Sequence, residues 1–498
     1  MNDNSRSIIL VTVDCLRADH VGFMGYKRAN TPFLDVLAGE SLVVPHAIVA
    51  GAPTYYSLPG IMASRYPMAL GRDILGLAPD EPTLTTALKD SGYATAGFSA
   101  ANPYISSRFG YDRGFDVFED FLKSDPRSLP AEPTRSDRGL ASRLNQGIQR
   151  LRPSLGGLGA AYDELYFRYC QRVTPVADSL DGLRSFPSAD LVVDQACRWL
   201  DSVGPSPFFL WLHLMDPHSP YYPKEEALRL MNEAPVSPRD ARYLNSYWNR
   251  GDVGPGRLAG IQDRIIRLYD AGIRWVDEQV CRMVAYLKGN GRWDDCIFVL
   301  TADHGEEFLE RGGRYHPPSG LMEELIHVPL LLRAPGSVKT GICGDPFSLI
   351  HLAPTLLDAA NVPIPSEFVG SSAWSTPRNR SDQSSFAISE CVAGCTNPFH
   401  PQSRMGSRIL SIREQPFKLV LYFESGREFF FDLEGDPGEN RPLPPGEQKP
   451  ARRRLLEIAR AHLERSAQRN IKARVQARLR ELQLEWNNPA QKSLPVAS

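Results

Sequence analysis

No stretch of the 498-residue chain approaches the roughly eighteen consecutive apolar residues that a membrane-spanning helix needs, so no span is expected. Cysteine is scarce and scattered. The eight residues, Cys15, Cys170, Cys197, Cys281, Cys296, Cys343, Cys391 and Cys395, show no disulfide framework, which points to a reducing compartment. Cys391 and Cys395 with His400 lack the second ligand pair of a zinc motif and read as structural. An excess of one charge is missing too: 56 Lys and Arg stand against 58 Asp and Glu, and no nucleic-acid partner is expected. The opening MNDNSRSIILVTVD lacks a signal-peptide pattern and reads as a polar start followed by a buried strand. A cytoplasmic location is the expectation.

What is present is an α/β rhythm. Ile8 to Val13 is a continuous apolar run with β-branched residues, of the kind found in a central parallel strand, and it ends at Asp14. TLTTALKDSGYATAGFSA reads as helix, glycine turn and strand. Ser188 to Val203 has helical periodicity, and Pro207 to His213 is a second buried strand leading into LMDPHSPYYP. Arg264 to Lys288 predicts a long helix in which Tyr269, Asp270 and Asp277 pack and hydrogen-bond. The run Cys296 to Thr301 is a third buried strand, followed after Ala302 by Asp303-His304. In open α/β sheets ligands gather at the carboxyl ends of strands, so Asp14, Asp303 and His304 are candidates for one cation.

The stretch GAPTYYSLPGIMASRYP, residues 51 to 67, places Thr54 in a loop that runs into a short helix from about Ser57. A helix N-terminus suits a bound anion, and a Thr hydroxyl there becomes a nucleophile if a divalent cation lowers its pKa. By itself, Thr before a helix is more often a plain cap.

The motifs VDCLRADH, LMDPHSPY, TADHGEE and DLEGDPGE, in that order between residues 7 and 440, resemble the sulfatase family of the alkaline phosphatase superfamily. The resemblance implies an α/β fold: an alkaline-phosphatase/sulfatase-like three-layer sandwich with a mostly parallel central sheet. A small C-terminal antiparallel subdomain and a helical tail follow. The expected boundaries are 7–375 for the catalytic domain, with an insertion at 122–187, then 376–445 for the subdomain and 446–498 for the basic tail. Carried over residue by residue, Asp14, Asp303 and His304 match metal ligands, and Thr54 completes the set as nucleophile and ligand. His218 and His316 match positions that contact the transferred anion or the leaving oxygen. Asp216 is either a ligand or a loop anchor, and with His218 and His316 it offers an alternative second metal set. Arg17 is expected to form a structural ion pair, and His351 carries no expected role.

The chain departs from the type I sulfatase pattern C-x-P-x-R, in which Cys or Ser is oxidised to formylglycine. Thr54, Tyr56 and Leu58 replace its Cys, Pro and Arg, and threonine cannot become formylglycine. Thr at this place is similar to phosphodiesterases, some phosphonate ester hydrolases and lipoteichoic-acid-synthase-like phosphotransferases. Cys15 stands where sulfatases carry a second Asp, which favours Mn²⁺ or Zn²⁺ over Mg²⁺ or Ca²⁺. The implied activity is metal-dependent hydrolysis or transfer at a phosphomonoester or phosphodiester through a covalent Thr54 intermediate. A sulfuric ester hydrolase using unmodified Thr54 and a catalytically silent anion-binding scaffold are the alternatives. The expected substrate is an anionic ester, a small molecule or a lipid.

Past the family motifs, RILSIR, FKLVLYF and EFFFDL read as a small antiparallel sheet. Lys449 to Trp486 reads as one or two basic helices that dock by a Leu and Ile stripe, with contact to an anionic membrane surface as the alternative.

Overall fold

The computed structural model describes residues 6–72, 74–122, 157–204, 206–335, 346–374 and 386–486. Of the expected insertion, 123–156 lies outside the described residues, as does Cys343; from 157 onward the insertion includes a helix, Gly157–Val173.

The three apolar runs form adjacent central strands because each is buried on both faces, as a parallel strand covered by helices must be. The sheet has seven strands in the order Leu42–Val43, Leu330–Arg333, Cys296–Ala302, Ser7–Val13, Phe208–Leu214, Ala94–Ser99, Val117–Glu119. The pairings from Cys296–Ala302 through Val117–Glu119 are parallel, and those of Leu330–Arg333 with its two neighbours are antiparallel. Ser7–Val13 sits in the middle, with Val13 opposite both Leu214 and Ala302. That register brings the chain segments after three strands to one edge of the sheet.

The long helix, Pro255–Gly289, runs a further nine residues beyond the expected start at Arg264. Its buried acids do structural work. Asp270 accepts from Tyr26 Oη at 2.7 Å and Arg28 Nη1 at 2.9 Å, and Asp277 accepts from the backbone N–H of Leu34 at 2.8 Å. Tyr269 donates to the Cys15 carbonyl at 2.7 Å and accepts from the Arg17 N–H, which fixes the loop after the first strand.

The C-terminal sheet contains the three expected strands, Arg408–Glu414, Phe417–Tyr422 and Arg427–Asp432, and a fourth, Phe386–Val392, at its edge. The basic tail is one helix, Lys449–Trp486. Leu455 and Ala459 enter an apolar cluster with Ile388, Leu410, Ile412, Leu419 and Phe430, while Arg453 and Arg460 stay exposed. The docking half of the expectation therefore holds for this end of the helix.

Glu390 ties these parts together. It is fully buried and accepts from the Met68 N–H at 2.8 Å, from His462 Nε2 on the tail helix at 3.1 Å, and from Arg408. Burial alone would raise its carboxyl, but Arg408 and His462 bring it down to about 2 from 4.5. A carboxylate with a depressed folded pKa stabilises the fold above its unfolded pKa and loses that contribution as pH falls through the folded value. Glu390 therefore contributes on the order of 3 kcal/mol above pH ~4.5, lost between ~4.5 and ~2. Glu390→Gln is expected to lower the thermal midpoint at pH 7 and to flatten the acid limb of the stability curve. Acid titrations followed by circular dichroism read both effects, and a variant with an unchanged acid limb would contradict the assignment.

Candidate active site

Thr54 is the first residue of the helix Thr54–Ala63, capped by Pro53. This corrects the expected start near Ser57. All ten residues of the helix are buried, so it has no apolar face to read, and Pro59 lies inside it. The helix N-terminus, with its positive dipole end, thus coincides with the hydroxyl itself. The preceding loop is held by the C-terminal sheet: Glu390 N–H donates to Ala50 O at 2.9 Å, and Ser389 Oγ donates to Val49 O at 2.5 Å. Gly51 fits here because a Cβ would stand 2.4 Å from the Glu390 carbonyl.

Across the sheet edge, Thr54 Oγ1 is 3.1 Å from His304 Nε2. His304 Nδ1 is bound to the Gly305 carbonyl at 2.8 Å. A carbonyl only accepts, so Nδ1 carries the proton and Nε2 presents a lone pair. That Nε2 lies 3.6 Å from Asp14 Oδ1 and 3.6 Å from Asp303 Oδ2. Donor atoms of Asp14, Asp303 and His304 all lie within 4.8 Å of one another, and all three residues are buried.

Two residues absent from the sequence motifs orient Asp14. Asn102 Nδ2, on the segment after Ala94–Ser99, donates to Asp14 Oδ2 at 2.8 Å. His213 Nε2 reaches the same oxygen at 3.2 Å, with its Nδ1 2.9 Å from Thr12 Oγ1. Burial alone would raise the Asp14 carboxyl, but His218 and the hydrogen bond from His213 hold it well below the usual carboxylate range. Asp303 goes the other way, raised by burial and by the Asp14 charge. Its Oδ2 is buried with no hydrogen-bond partner. Two buried carboxylates facing a lone pair, one oxygen of them unpaired, form a donor set that lacks positive charge. They fit a divalent cation with mixed oxygen and nitrogen ligands.

His316 and His218 stand on the other side of the cluster, their rings 5.0 Å apart, and the His316 ring is 4.6 Å from that of His304. His218 Nδ1 is bound to the Ser219 carbonyl, so Nε2 donates only when the ring is imidazolium. The structure thus brings Thr54, Asp14, Asp303, His304, His218 and His316 together. Asp216 stays out: its carboxylate accepts from Arg184 Nη2 at 2.7 Å and the Ala189 N–H at 2.9 Å, so it anchors the loop, and the alternative metal set with His218 and His316 loses its acid. Arg17 forms the expected ion pairs, with Asp19 at 2.7 Å and with Glu310. Cys391 and Cys395 are buried, and among the described residues neither joins a group able to hold a metal.

A family model described as Sulfatase matches residues 6–362, and one described as N-sulphoglucosamine sulphohydrolase, C-terminal, matches residues 318–457. The chain is 29% identical to an N-acetylglucosamine-6-O-sulfatase of Bacteroides thetaiotaomicron over 195 residues, which cover 39% of this chain and 34% of that protein. It is 24% identical to an arylsulfatase of Clostridium perfringens over 466 residues, covering 87% of this chain and 89% of the relative. Among solved structures, a phosphonate monoester hydrolase of Agrobacterium radiobacter superposes with a TM-score of 0.63 at 19% identity, covering 93% of this chain and 96% of that one. A structure in complex with D-glucosamine-2-N,6-O-disulfate as its substrate superposes with a TM-score of 0.67 at 17% identity, covering 98% and 100%. At such identities the superpositions speak for the fold alone.

Proposed function

The chain belongs to the sulfatase family of hydrolases, and from that premise we propose that it hydrolyses phosphate esters with Thr54 as the nucleophile. The observation that carries this reading is the hydroxyl of Thr54 at a helix N-terminus, 3.1 Å from a lone-pair nitrogen that also faces two buried carboxylates. Asp14, Asp303, His304 and Thr54 Oγ1 would hold one divalent ion, with Mn²⁺ or Zn²⁺ suiting the mixed donors. When bound, such an ion supplies positive charge that lowers the pKa of a neighbouring hydroxyl and offsets charge on the transferred group.

The chain's own residues then do the following. Thr54 Oγ, its proton released to solvent, forms a bond to phosphorus while the bond to the leaving oxygen breaks. The electron pair goes to the leaving oxygen, and His218, as imidazolium, donates the proton that neutralises it. First-turn N–H groups at the Thr54 helix and the His316 ring offer hydrogen bonds to the remaining phosphoryl oxygens. In the second step His218, now neutral, takes a proton from water. The water oxygen bonds to phosphorus, and Thr54 Oγ leaves with its electron pair and regains a proton from solvent. Because threonine cannot supply a formylglycine hydrate, release depends on attack at phosphorus, which is the reason for favouring phosphate over sulfate.

His218→Ala is expected to lower kcat by about 10²-fold or more on an alkyl phosphate and far less on a 4-nitrophenyl ester, whose leaving oxygen needs no proton. Equal losses on both esters would remove His218 from the proton-donor role. The reading as a whole is tested by stripping the purified protein of metal, reloading it with Mn²⁺ or Zn²⁺, and assaying aryl phosphate, bis-aryl phosphate, phosphonate and aryl sulfate. Metal-dependent turnover of the phosphate esters is the expected result. Turnover of the sulfate alone would replace the reading with a sulfuric ester hydrolase, and metal uptake without turnover of any ester would replace it with the silent scaffold.

A further inference from the structure

We propose that the helix Gly157–Val173 seats on a lipid bilayer that carries anionic headgroups. Five of its side chains, Tyr162, Leu165, Tyr166, Tyr169 and Val173, recur at spacings of three and four and so line one face. That face meets solvent. Leu165 is 68% exposed, Val173 56% and Tyr169 48%, while Tyr162 and Tyr166 are half-buried with their rings 6.0 Å apart. The opposite face holds the helix to the protein: Phe167 packs against the rings of Tyr243 and Tyr247, and the Arg250 guanidinium lies 4.7 Å over the Phe167 ring. An amphipathic surface helix ordinarily buries its apolar stripe. This one is anchored through Phe167 and turns its stripe outward, the mark of an interaction surface.

The charges around the stripe identify its partner. Arg168 and Arg172 are exposed along one flank. Glu164 pairs with Arg168 at 2.9 Å but also answers Arg250 and Arg257, each at 2.8 Å. At the end of the helix Arg239 donates to the Arg172 carbonyl at 3.2 Å, and Arg242 donates to the Gln171 and Pro175 carbonyls at 2.8 and 2.7 Å. Both spend donors on backbone and keep their charge. An excess of arginine beside an aromatic and aliphatic face complements anionic headgroups above an acyl layer. Tyrosine suits the boundary, with its ring in the apolar layer and its hydroxyl in water. The 17-residue helix is not long and apolar enough to cross a membrane, so it lies in the plane of the interface. A second copy packed antiparallel on the stripe would set the arginine flank against itself.

The helix is tied to the active site through a short chain of contacts. Arg250, stacked on Phe167, offers its backbone carbonyl to Arg314 Nη1 at 3.2 Å. Arg314–Tyr315 is the two-residue strand that leads directly into His316. A helix seated on lipid thereby holds the segment that carries His316. Lipid binding by this face does not depend on which ester Thr54 attacks.

The test mixes the full chain with vesicles of phosphatidylcholine alone and of phosphatidylcholine with phosphatidylserine, and reads the bound fraction by flotation. Binding to the mixed vesicles is expected, about tenfold or more stronger than to phosphatidylcholine alone and weakened by added salt. Leu165→Glu combined with Val173→Glu should abolish it. Arg172→Gln should lower the partition coefficient about fivefold, the effect of one arginine near an anionic surface. Both variants should melt with the wild type, since all three side chains are exposed. No binding to the mixed vesicles overturns the proposal. Binding that survives the Leu165 and Val173 exchange, and is lost in Arg453→Gln with Arg460→Gln, overturns it in favour of the tail helix. A dimer seen by light scattering and removed by the Leu165 and Val173 exchange, with no vesicle binding, overturns it in favour of a second copy.

Discussion

Thr54→Ala is expected to abolish ester hydrolysis, with kcat down by about 10⁴-fold or more, because the nucleophile is the one group for which the site has no substitute. The hydroxyl is the sole reactive oxygen at the helix N-terminus: Ser57, one turn on, is buried and points its Oγ back at the Thr54 carbonyl at 3.2 Å. The fold should tolerate the change. Thr54 makes its side-chain contact to His304 Nε2, and removing the hydroxyl leaves that nitrogen available to a metal. With Asp14, Asp303 and His304 still in place, metal uptake at saturating ion, with weakened affinity, and an unchanged melting temperature of the metal-free protein are therefore expected alongside the lost activity. Thr54→Ser restores a hydroxyl and should recover a measurable fraction of the rate. Steady-state kinetics on a 4-nitrophenyl phosphate ester, with metal content from elemental analysis, read all three expectations.

Asp303→Asn separates charge from shape at the metal site. The substitution keeps the volume and one carbonyl oxygen but removes a charge from a cluster already holding Asp14. The expected loss is on the order of 10³-fold in kcat at low metal, partly recovered at high metal, since the ion would lose its best counter-charge. The metal-free protein should respond in the opposite sense. In that state the buried Asp303 carboxyl is raised by burial and by Asp14, with an unpaired Oδ2, so the amide relieves repulsion. Its melting temperature without metal should be equal to or above that of the wild type, while the gain on adding Mn²⁺ or Zn²⁺ should shrink. A metal-free variant that melts well below the wild type would mean Asp303 is held by something other than an ion.

The parts legible in the sequence were those with a local signal. Continuous apolar runs marked the three central strands, and an acid directly after two of them marked Asp14 and Asp303. Their meeting was not legible from spacing, because it depends on Ser7–Val13 lying between Phe208–Leu214 and Cys296–Ala302, an order set by crossovers between segments about two hundred and more residues apart. The resemblance to known motifs supplied that order indirectly. Asn102 and His213 escaped because neither sits in a motif: His213 is inside the buried run FFLWLHL, and Asn102 follows a strand with no distinguishing neighbours. Phe386–Val392 was missed since Glu390 interrupts its apolar pattern, and that carboxylate is buried only because Arg408 and His462 come to it from elsewhere. The start of the Thr54 helix was misplaced for a related reason, as a helix buried on every side carries no periodicity.

The most direct measurement is a rapid-quench single turnover on an aryl phosphate ester, followed by peptide mass mapping of the quenched protein. The account predicts a phosphoryl group on Thr54 in the peptide spanning residues 51 to 67, formed at the rate of aryl alcohol release and gone once hydrolysis is complete. A burst of released alcohol with Thr54 unmodified, and the phosphoryl group found on another residue or only in solution, would contradict it.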